Sequence, residues 1–535
     1  MQGSLPRLVV ISAIAGASNA AILAAVNAGS QAAADGKSGV SAAALFIISL
    51  VLFIKTQQYV LIASTVEIET IIHKVRLRLM NHVRHSELIP LDGIGRSQIL
   101  SAIIKETATL QQAASTFAFS SQGVVLVFFM GLYIAYLSVL AFVMSIAVIG
   151  MAAGVFLATS GRVAREQREA MEWETRLFDR LADLLEGFKE VRLNSARSDE
   201  LFDDIVEVSR TAANIKIRAQ SDTFRRLIFS QSSIYAMLGG VVFLVPLFND
   251  SAGAAIQKVT TALLFVIGAC WGVVQSVPVL LMANGAADNI ERMEAELRGA
   301  AVAPDDATEP NTRFDTVEMR DVMFHYTDKT SDAAFKIGPL NFTLRRGELV
   351  FIMGGNGSGK STFLKVLAGL YMADAGELLL DGVPIDDRNR ESYRSLITAI
   401  FSDYHLFEQL YGIPAPDVTQ LQRLLTEFRL HDKTTLSDRR FETLDLSSGQ
   451  RKRLALIVSL LEKRPILLLD EWAAEQDPEY RGKFYHELLP ELNRLGITIV
   501  VISHDDRYID ELDLPGRVVR MDEGRFIEQH SLENA

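Results

Sequence analysis

Charge is distributed along this chain in blocks. Residues 8–34 contain no ionisable side chain, residues 39–54 contain none, and a more polar continuation begins at Lys55. Residues 107–160 contain no Asp, Glu, Lys or Arg, a gap long enough for two apolar helices joined by a tight turn near 133–138. Residues 227–249 and 259–284 form two more such runs. One bilayer crossing takes about 20 apolar residues over about 30 Å of hydrocarbon. The pattern therefore predicts six spans, at roughly 5–33, 39–63, 112–134, 136–160, 227–248 and 259–284.

Between the spans the pattern becomes amphipathic. Leu177, Leu181, Leu184 and Leu185 recur at helical spacing among charged residues. The helices should therefore continue beyond the bilayer. The loop between spans two and three carries Lys74, Arg76, Arg78, Arg84, Arg96 and Lys105, and residues 161–226 are richer still. The only basic residues of the loops on the other side are Lys37 and Lys258. The positive-inside rule then puts both long loops and both termini in the cytoplasm.

After residue 297 the pattern changes. Residues 298–312 are small, polar and Pro-containing, which reads as a linker. From 313 to 535, short apolar runs alternate with helical patterns, as in an α/β domain. The whole reads as a membrane all-α six-helix domain, 1–297, fused to an α/β P-loop domain. Over all 535 residues, 49 % are hydrophobic and 22 % charged, an average of two unlike halves. The net charge of −12 excludes nucleic acid as the main partner. One cysteine, Cys270, rules out an intrachain disulfide and reads as a packing residue in an apolar run.

The strand-like run 348–353 leads into GGNGSGKST, with Gly354, Gly355, Asn356, Gly357, Ser358, Gly359, Lys360, Ser361 and Thr362. The spacing G-x-x-x-x-G-K-S lets backbone N–H groups wrap phosphate oxygens. Lys360 is expected on the β- and γ-phosphates and the Ser361 hydroxyl on Mg²⁺. The apolar run 466–469 reads as a buried parallel strand delivering Asp470 and Glu471 to its carboxyl end. Asp470 suits Mg²⁺, and Glu471 suits orienting or deprotonating a water. A further strand, 497–502, delivers His504 to the same edge, where it can reach a γ-phosphate and Glu471.

These motifs resemble the ATPase domain of ABC transporters. Residues 354–362 match Walker A, 466–470 match Walker B, and His504 matches the switch histidine. LSSGQ at 446–450 matches the signature, with Ser448 in place of one glycine. AEQD at 474–477, ending in Asp477, stands in the D-loop position, and Tyr326 matches the aromatic that stacks on adenine. The first half resembles a type-I exporter membrane domain. Where the family has the Q-loop Gln this chain has Ser402, with Asp403 beside it, so direct contact with Mg²⁺ there is in doubt. That departure, the insert 407–439 and the run DEWAAEQDP resemble the bacterial exporters of cyclic peptides and peptide siderophores.

The resemblance implies ATP and Mg²⁺ as cofactors, with Glu471, His504 and Lys360 catalytic. It implies alternating access through coupling helices near 90–96 and 186–193. It also implies that Ser447, Ser448, Gly449 and Gln450 cap the nucleotide of a second copy, hence a homodimer in the inner membrane. Amide and apolar walls (Asn19, Asn27, Gln57, Gln58, Gln122, Gln231, Gln275) suit a bulky amphipathic cargo, and the resemblance implies a peptide-like one. A lipid flippase, a multidrug exporter and an ATP-gated regulator remain alternatives.

Overall fold

The computed structural model describes residues 5–248, 253–300, 313–327, 334–414, 416–511 and 515–531. The linker expected at 298–312 lies, from 301 onward, outside the described residues. The chain forms two compact units. One comprises Met1–Asn81 with Ser97–Ala295, the other His82–Arg96 with Glu296–Ala535. A short piece of the first half thus belongs to the second unit.

In chain order the first helices are α1 (Leu5–Ala34), α2 (Val40–His85), α3 (Leu88–Ile94), α4 (Arg96–Ser101) and α5 (Thr107–Leu137). They are followed by α6 (Val139–Glu186), α7 (Phe188–Leu193), α8 (Ser195–Phe248) and α9 (Gly253–Ala300). Among the described residues, α1, α2, α4–α5, α8 and α9 provide five stretches long and apolar enough to cross a bilayer. The sixth expected span begins α6, where the described apolar stretch, Val139–Met151, is shorter. The turn expected at 133–138 falls at Ser138. Its backbone is extended, and its hydroxyl accepts from the Ala141 N–H at 3.3 Å to start α6.

Leu23, Met130, Ile134, Met237, Val241 and Leu263 form the buried centre of this unit, and Cys270 packs with them. Phe128 and Tyr136 point outward, as suits side chains facing lipid. Beyond the apolar stretches, α6 packs on α8, with ion pairs Arg180–Asp204 at 2.8 Å and Lys216–Glu174 at 3.0 Å. Of the leucine stripe, Leu177 and Leu184 are half-buried while Leu181 and Leu185 are exposed.

The second unit is built on two sheets. The four-stranded one has the order β2 (Ala334–Arg345), β1 (Thr316–Thr327), β4 (Ala375–Leu380), β5 (Val383–Pro384). The six-stranded one has the order β12 (Arg525–Ser531), β11 (Arg517–Asp522), β3 (Leu349–Met353), β10 (Thr498–Ile502), β9 (Ile466–Asp470), β6 (Ile397–Ile400). A two-residue pair, β7 (Leu436–Ser437) and β8 (Arg440–Phe441), stands apart.

Strands β3, β9 and β10 are buried along their whole length. Their apolar runs follow from having two faces to cover. Alternate side chains enter different cores. Leu349, Phe351, Leu467, Leu469, Ile499 and Val501 enter the core on the helical side. Val350, Ile352, Ile466, Leu468, Val500 and Ile502 enter the core between the sheets. Parallel pairing aligns Ile502 with Asp470 and with Ile352, so the three strands end level.

The segment 82–96 is tied into this unit by α3. Leu88 packs on the core between the sheets, and the Glu87 N–H donates to the Ala300 carbonyl at 3.0 Å. The Glu87 carboxylate accepts from Arg390 at 3.0 Å and from Arg394 at 2.6 Å. The helix lies at Leu88–Ile94, near the expected 90–96. The second expected coupling segment, 186–193, contains α7, set between Gly187 and Asn194.

Candidate functional site

The loop 354–362 leaves β3 and enters α10 (Lys360–Leu367), which places the backbone amides of a helix start beside the strand ends. Gly354 has φ +149°, and a Cβ there would lie 2.1 Å from the Met521 carbonyl oxygen, so no other residue fits. Gly355, Asn356 and Gly357 are exposed, while Ser358 is buried with its hydroxyl unpartnered. Lys360 is buried, and its ammonium donates to the carbonyls of Gly354 at 2.9 Å and Gly355 at 2.8 Å. Burial lowers its pKa below the ordinary lysine value, against the opposing pull of Glu471 and Asp470. Ser361 and Thr362 are half-buried at the start of α10.

Asp470 is 1 % exposed, and neither carboxylate oxygen has a hydrogen-bond partner at good geometry. Burial raises its pKa; the nearby Ser361 hydroxyl and the Ser402 backbone N–H offset part of that rise. A buried, unpaired carboxylate beside a serine hydroxyl is the hard-oxygen set that suits Mg²⁺. Ser402 reaches this point by its backbone rather than its side chain, and Asp403 is exposed in the same turn.

Glu471 follows in the left-handed region, φ 50° and ψ 36°, which non-glycine residues rarely adopt. Its N–H donates to the Ile502 carbonyl at 3.1 Å. Its Oε1 stands 3.2 Å from Nε2 of His504. The residues flanking His504 are pinned. The Tyr485 hydroxyl meets Ser503 at 2.6 Å and Asp505 at 3.0 Å, and the Asp505 N–H donates to Ser503 at 3.0 Å. Both Glu471 and His504 are partly open to solvent.

The signature turn opens α13 (Ser448–Leu461), numbered after α11 (Arg390–Arg394) and α12 (Val418–Glu427). Ser447 and Gln450 form a reciprocal cap: the Ser447 hydroxyl accepts from the Gln450 N–H at 3.4 Å, and the Gln450 side chain accepts from the Ser447 N–H at 3.0 Å. Gly449 is buried and touches the backbone of Glu475. Lys452, and to a lesser degree the Ser448 hydroxyl, hold the Glu475 carboxyl below the ordinary glutamate range. Among the described contacts, this turn meets the Asp470–Glu471 strand end through Lys452, Trp472, Glu475 and Gln476; the sequence marked the last three only as members of the run DEWAAEQDP. Lys452, in the basic run that follows the turn, is 2 % exposed.

Asp477 caps α14 (Pro478–Lys483), accepting from the Tyr480 N–H at 2.9 Å. Tyr326 pairs with Phe335 across β1 and β2; its ring lies outside the described residues.

Phosphate loop, acidic strand end and histidine at one sheet edge, in a chain that also carries membrane-spanning helices, define a transport ATPase. The ABC transporter family profile matches residues 337–474. Over 477 residues, 85 % of this chain and 82 % of the relative, the sequence is 31 % identical to the ATP-binding protein SyrD of Pseudomonas syringae pv. syringae. The chain belongs to the ABC transporter family. It is also 29 % identical over 225 residues to the spermidine/putrescine import ATP-binding protein PotA of Haemophilus influenzae, a match spanning 40 % of this chain and 58 % of that protein. A solved structure of a bacterial Atm1-family ABC exporter with ATP bound shares the fold over 99 % of this chain and 96 % of its own. The TM-score is 0.80 at 16 % identity. The protein is an ATPase that couples hydrolysis to transport across a membrane.

Proposed function

We propose that the protein exports a peptide-like molecule, a cyclic peptide or peptide siderophore, from the cytoplasm across the bacterial inner membrane. It works as a homodimer by alternating access, with both termini and the nucleotide domain cytoplasmic. The observation that carries the cargo reading is a cavity of about 360 Å³ between α2 and α5. Its walls combine hydroxyls and amides (Ser64, Thr65, Gln111, Gln112) with apolar Leu61 and Phe119. Glu69 supplies the single carboxylate and accepts a hydrogen bond from Gln111. Such a wall can hydrogen-bond the amides of a peptide while covering its apolar side chains. These residues differ from the amides singled out in the sequence, of which Gln57 and Gln122 each bury an unpartnered polar atom.

At the nucleotide, Lys360 and the amides of 354–362 hold the phosphates, with Tyr326 against the base. Ser361 and Asp470 would hold Mg²⁺, which when bound offsets charge on the β- and γ-phosphates. Glu471 orients the attacking water and takes its proton. His504 holds Glu471 and donates to the γ-phosphate. Ser447, Ser448, Gly449, Gln450 and Asp477 serve the nucleotide of the second copy, while Ser402 and Asp403 serve the nucleotide of their own chain.

The test is ATPase stimulation of the purified protein in lipid nanodiscs by panels of peptides, lipids and aromatic cations. Stimulation by cyclic peptides, lost in Glu471→Gln, is the expected result. Stimulation by lipids or aromatic cations alone would overturn the cargo assignment.

A further inference from the structure

We propose that Lys452 is a positioning residue for ATP hydrolysis: its buried ammonium ties the backbone of Glu471 to the signature helix and so sets where the Glu471 carboxylate stands. The proposal rests on the assignment of Glu471 as the residue that activates water.

The ammonium has two oxygen partners, both on the segment that follows β9. It donates to the Glu471 carbonyl at 2.9 Å and pairs with the Glu475 carboxylate at 2.9 Å. Its own residue is held in return, because Trp472 Nε1 donates to the Lys452 carbonyl at 2.9 Å. One turn earlier, Gln476 Nε2 donates to the Gly449 carbonyl at 3.1 Å. Residues 449–452 and 471–476 are thus laced together by four contacts. Trp472 is fully buried beneath them, against Phe484 and Tyr480.

This lacing explains how Glu471 keeps a left-handed backbone. A residue in that region persists only when its surroundings hold it there. Glu471 is held at both ends: its N–H by Ile502 on β10, its carbonyl by Lys452 on α13 at 2.9 Å and by the Ala474 N–H at 3.3 Å. Removing Lys452 takes away the shorter of the two hydrogen bonds to the carbonyl, and with it the tie to α13. The carboxylate would then turn away from the position 3.2 Å from His504. An ammonium at 2 % exposure is otherwise costly to bury, and Glu475 is the countercharge that makes it tolerable. Because Lys452 sits on the helix that the Ser447 turn opens, a ligand pressing on that turn acts on Glu471 of the same chain through this contact.

The experiment measures kcat and KM for ATP, with melting temperature, on the full-length protein in nanodiscs. The variants are Lys452→Met, Glu475→Gln, Glu471→Gln and the Lys452→Met/Glu471→Gln double. Lys452→Met is expected to lower kcat roughly ten- to hundredfold, the scale of a displaced catalytic group, while KM stays within about twofold. The double variant should be no slower than Glu471→Gln alone, since a misplaced carboxylate no longer matters once it is gone. Glu475→Gln should lower kcat in the same direction by less, and it carries the test if Lys452→Met does not fold. A wild-type kcat in either folded variant, or a KM rising in step with the loss of kcat, overturns the proposal. Full turnover in Glu471→Gln would overturn the assignment of Glu471 instead.

Discussion

His504 Nε2 lies 3.2 Å from Glu471 Oε1, joining the ends of β9 and β10 across the mouth of the phosphate loop. Each side chain orients the other, so the pair should fail in a graded way. Glu471→Gln is expected to lower turnover roughly 10²- to 10⁴-fold, the range of a lost general base, with ATP binding kept. His504→Ala should fall short of that, because Glu471 remains. Phosphate release and nucleotide binding, measured side by side, check both.

Asp470 yields a pH prediction with a definite sign. Burial raises its folded-state pKa above the ordinary aspartate range, so protonation favours the fold. That contribution is complete below the ordinary range and is lost as pH rises through the folded pKa. At neutral pH the ionised, unpaired carboxylate therefore burdens the structure. Asp470→Asn should raise the melting temperature at neutral pH, the gain shrinking as pH falls, while Mg²⁺-dependent hydrolysis disappears. A variant that melts lower at neutral pH would contradict this.

Glu87 anchors α3 through Arg390 and Arg394. Arg390 is 4 % exposed, and its Nε has no partner. Glu87→Ala strands much of that buried charge, although Asp387 still pairs with it. A loss of about 1.5–3 kcal/mol is expected, the range for hydrogen bonds to charged groups. Denaturant unfolding of the full chain measures it, and Glu87→Asp should recover only part.

Gly449 offers a test in which helix propensity and packing disagree. Replacing a helical glycine by alanine ordinarily stabilises by roughly 0.5–1 kcal/mol. Here the new Cβ would sit 2.8 Å from the Glu475 carbonyl oxygen. Gly449→Ala should therefore lower the melting temperature and slow hydrolysis. A stabilised, fully active variant would show that the contact gives way.

The arrangement of two chains is tested by mixing. Lys360→Ala and Ser447→Arg chains should each be inactive alone. Mixed dimers keep one intact composite site, so co-purified chains should recover part of the turnover. No recovery, with mixed dimers shown to form, would count against a site shared between copies.

Much of this was readable from the chain. Uncharged runs mark the spans, because a charge in hydrocarbon is expensive wherever it falls. The loop 354–362, Asp470, Glu471 and His504 announce themselves because each follows an apolar strand that can only end at a sheet edge. What stayed hidden are relations between side chains. Nothing local distinguishes Lys452 from its exposed neighbour Arg451; only the approach of Glu475 makes it a buried cation. Residues 82–96 read as part of a long loop, since what ties them elsewhere, Glu87 meeting two arginines some 300 positions away and Leu88 packing on a distant core, has no local signal. Asp477 matches a motif position, but its work as the cap of α14 shows only once Tyr480 is placed.

The reciprocal cap at Ser447 and Gln450 has a consequence for the entropy of recognition. The Ser447 oxygen is engaged as an acceptor, yet its own hydrogen stays available to donate. A phosphate arriving at the turn therefore meets a hydroxyl whose rotamer is already chosen. Freezing a free side chain costs about 0.5–1.5 kcal/mol on association, and here folding has largely met that cost in advance. Alanine at 447 would forfeit both the donor and the frozen rotamer. Threonine keeps both chemically, at the expense of a methyl group that must find room.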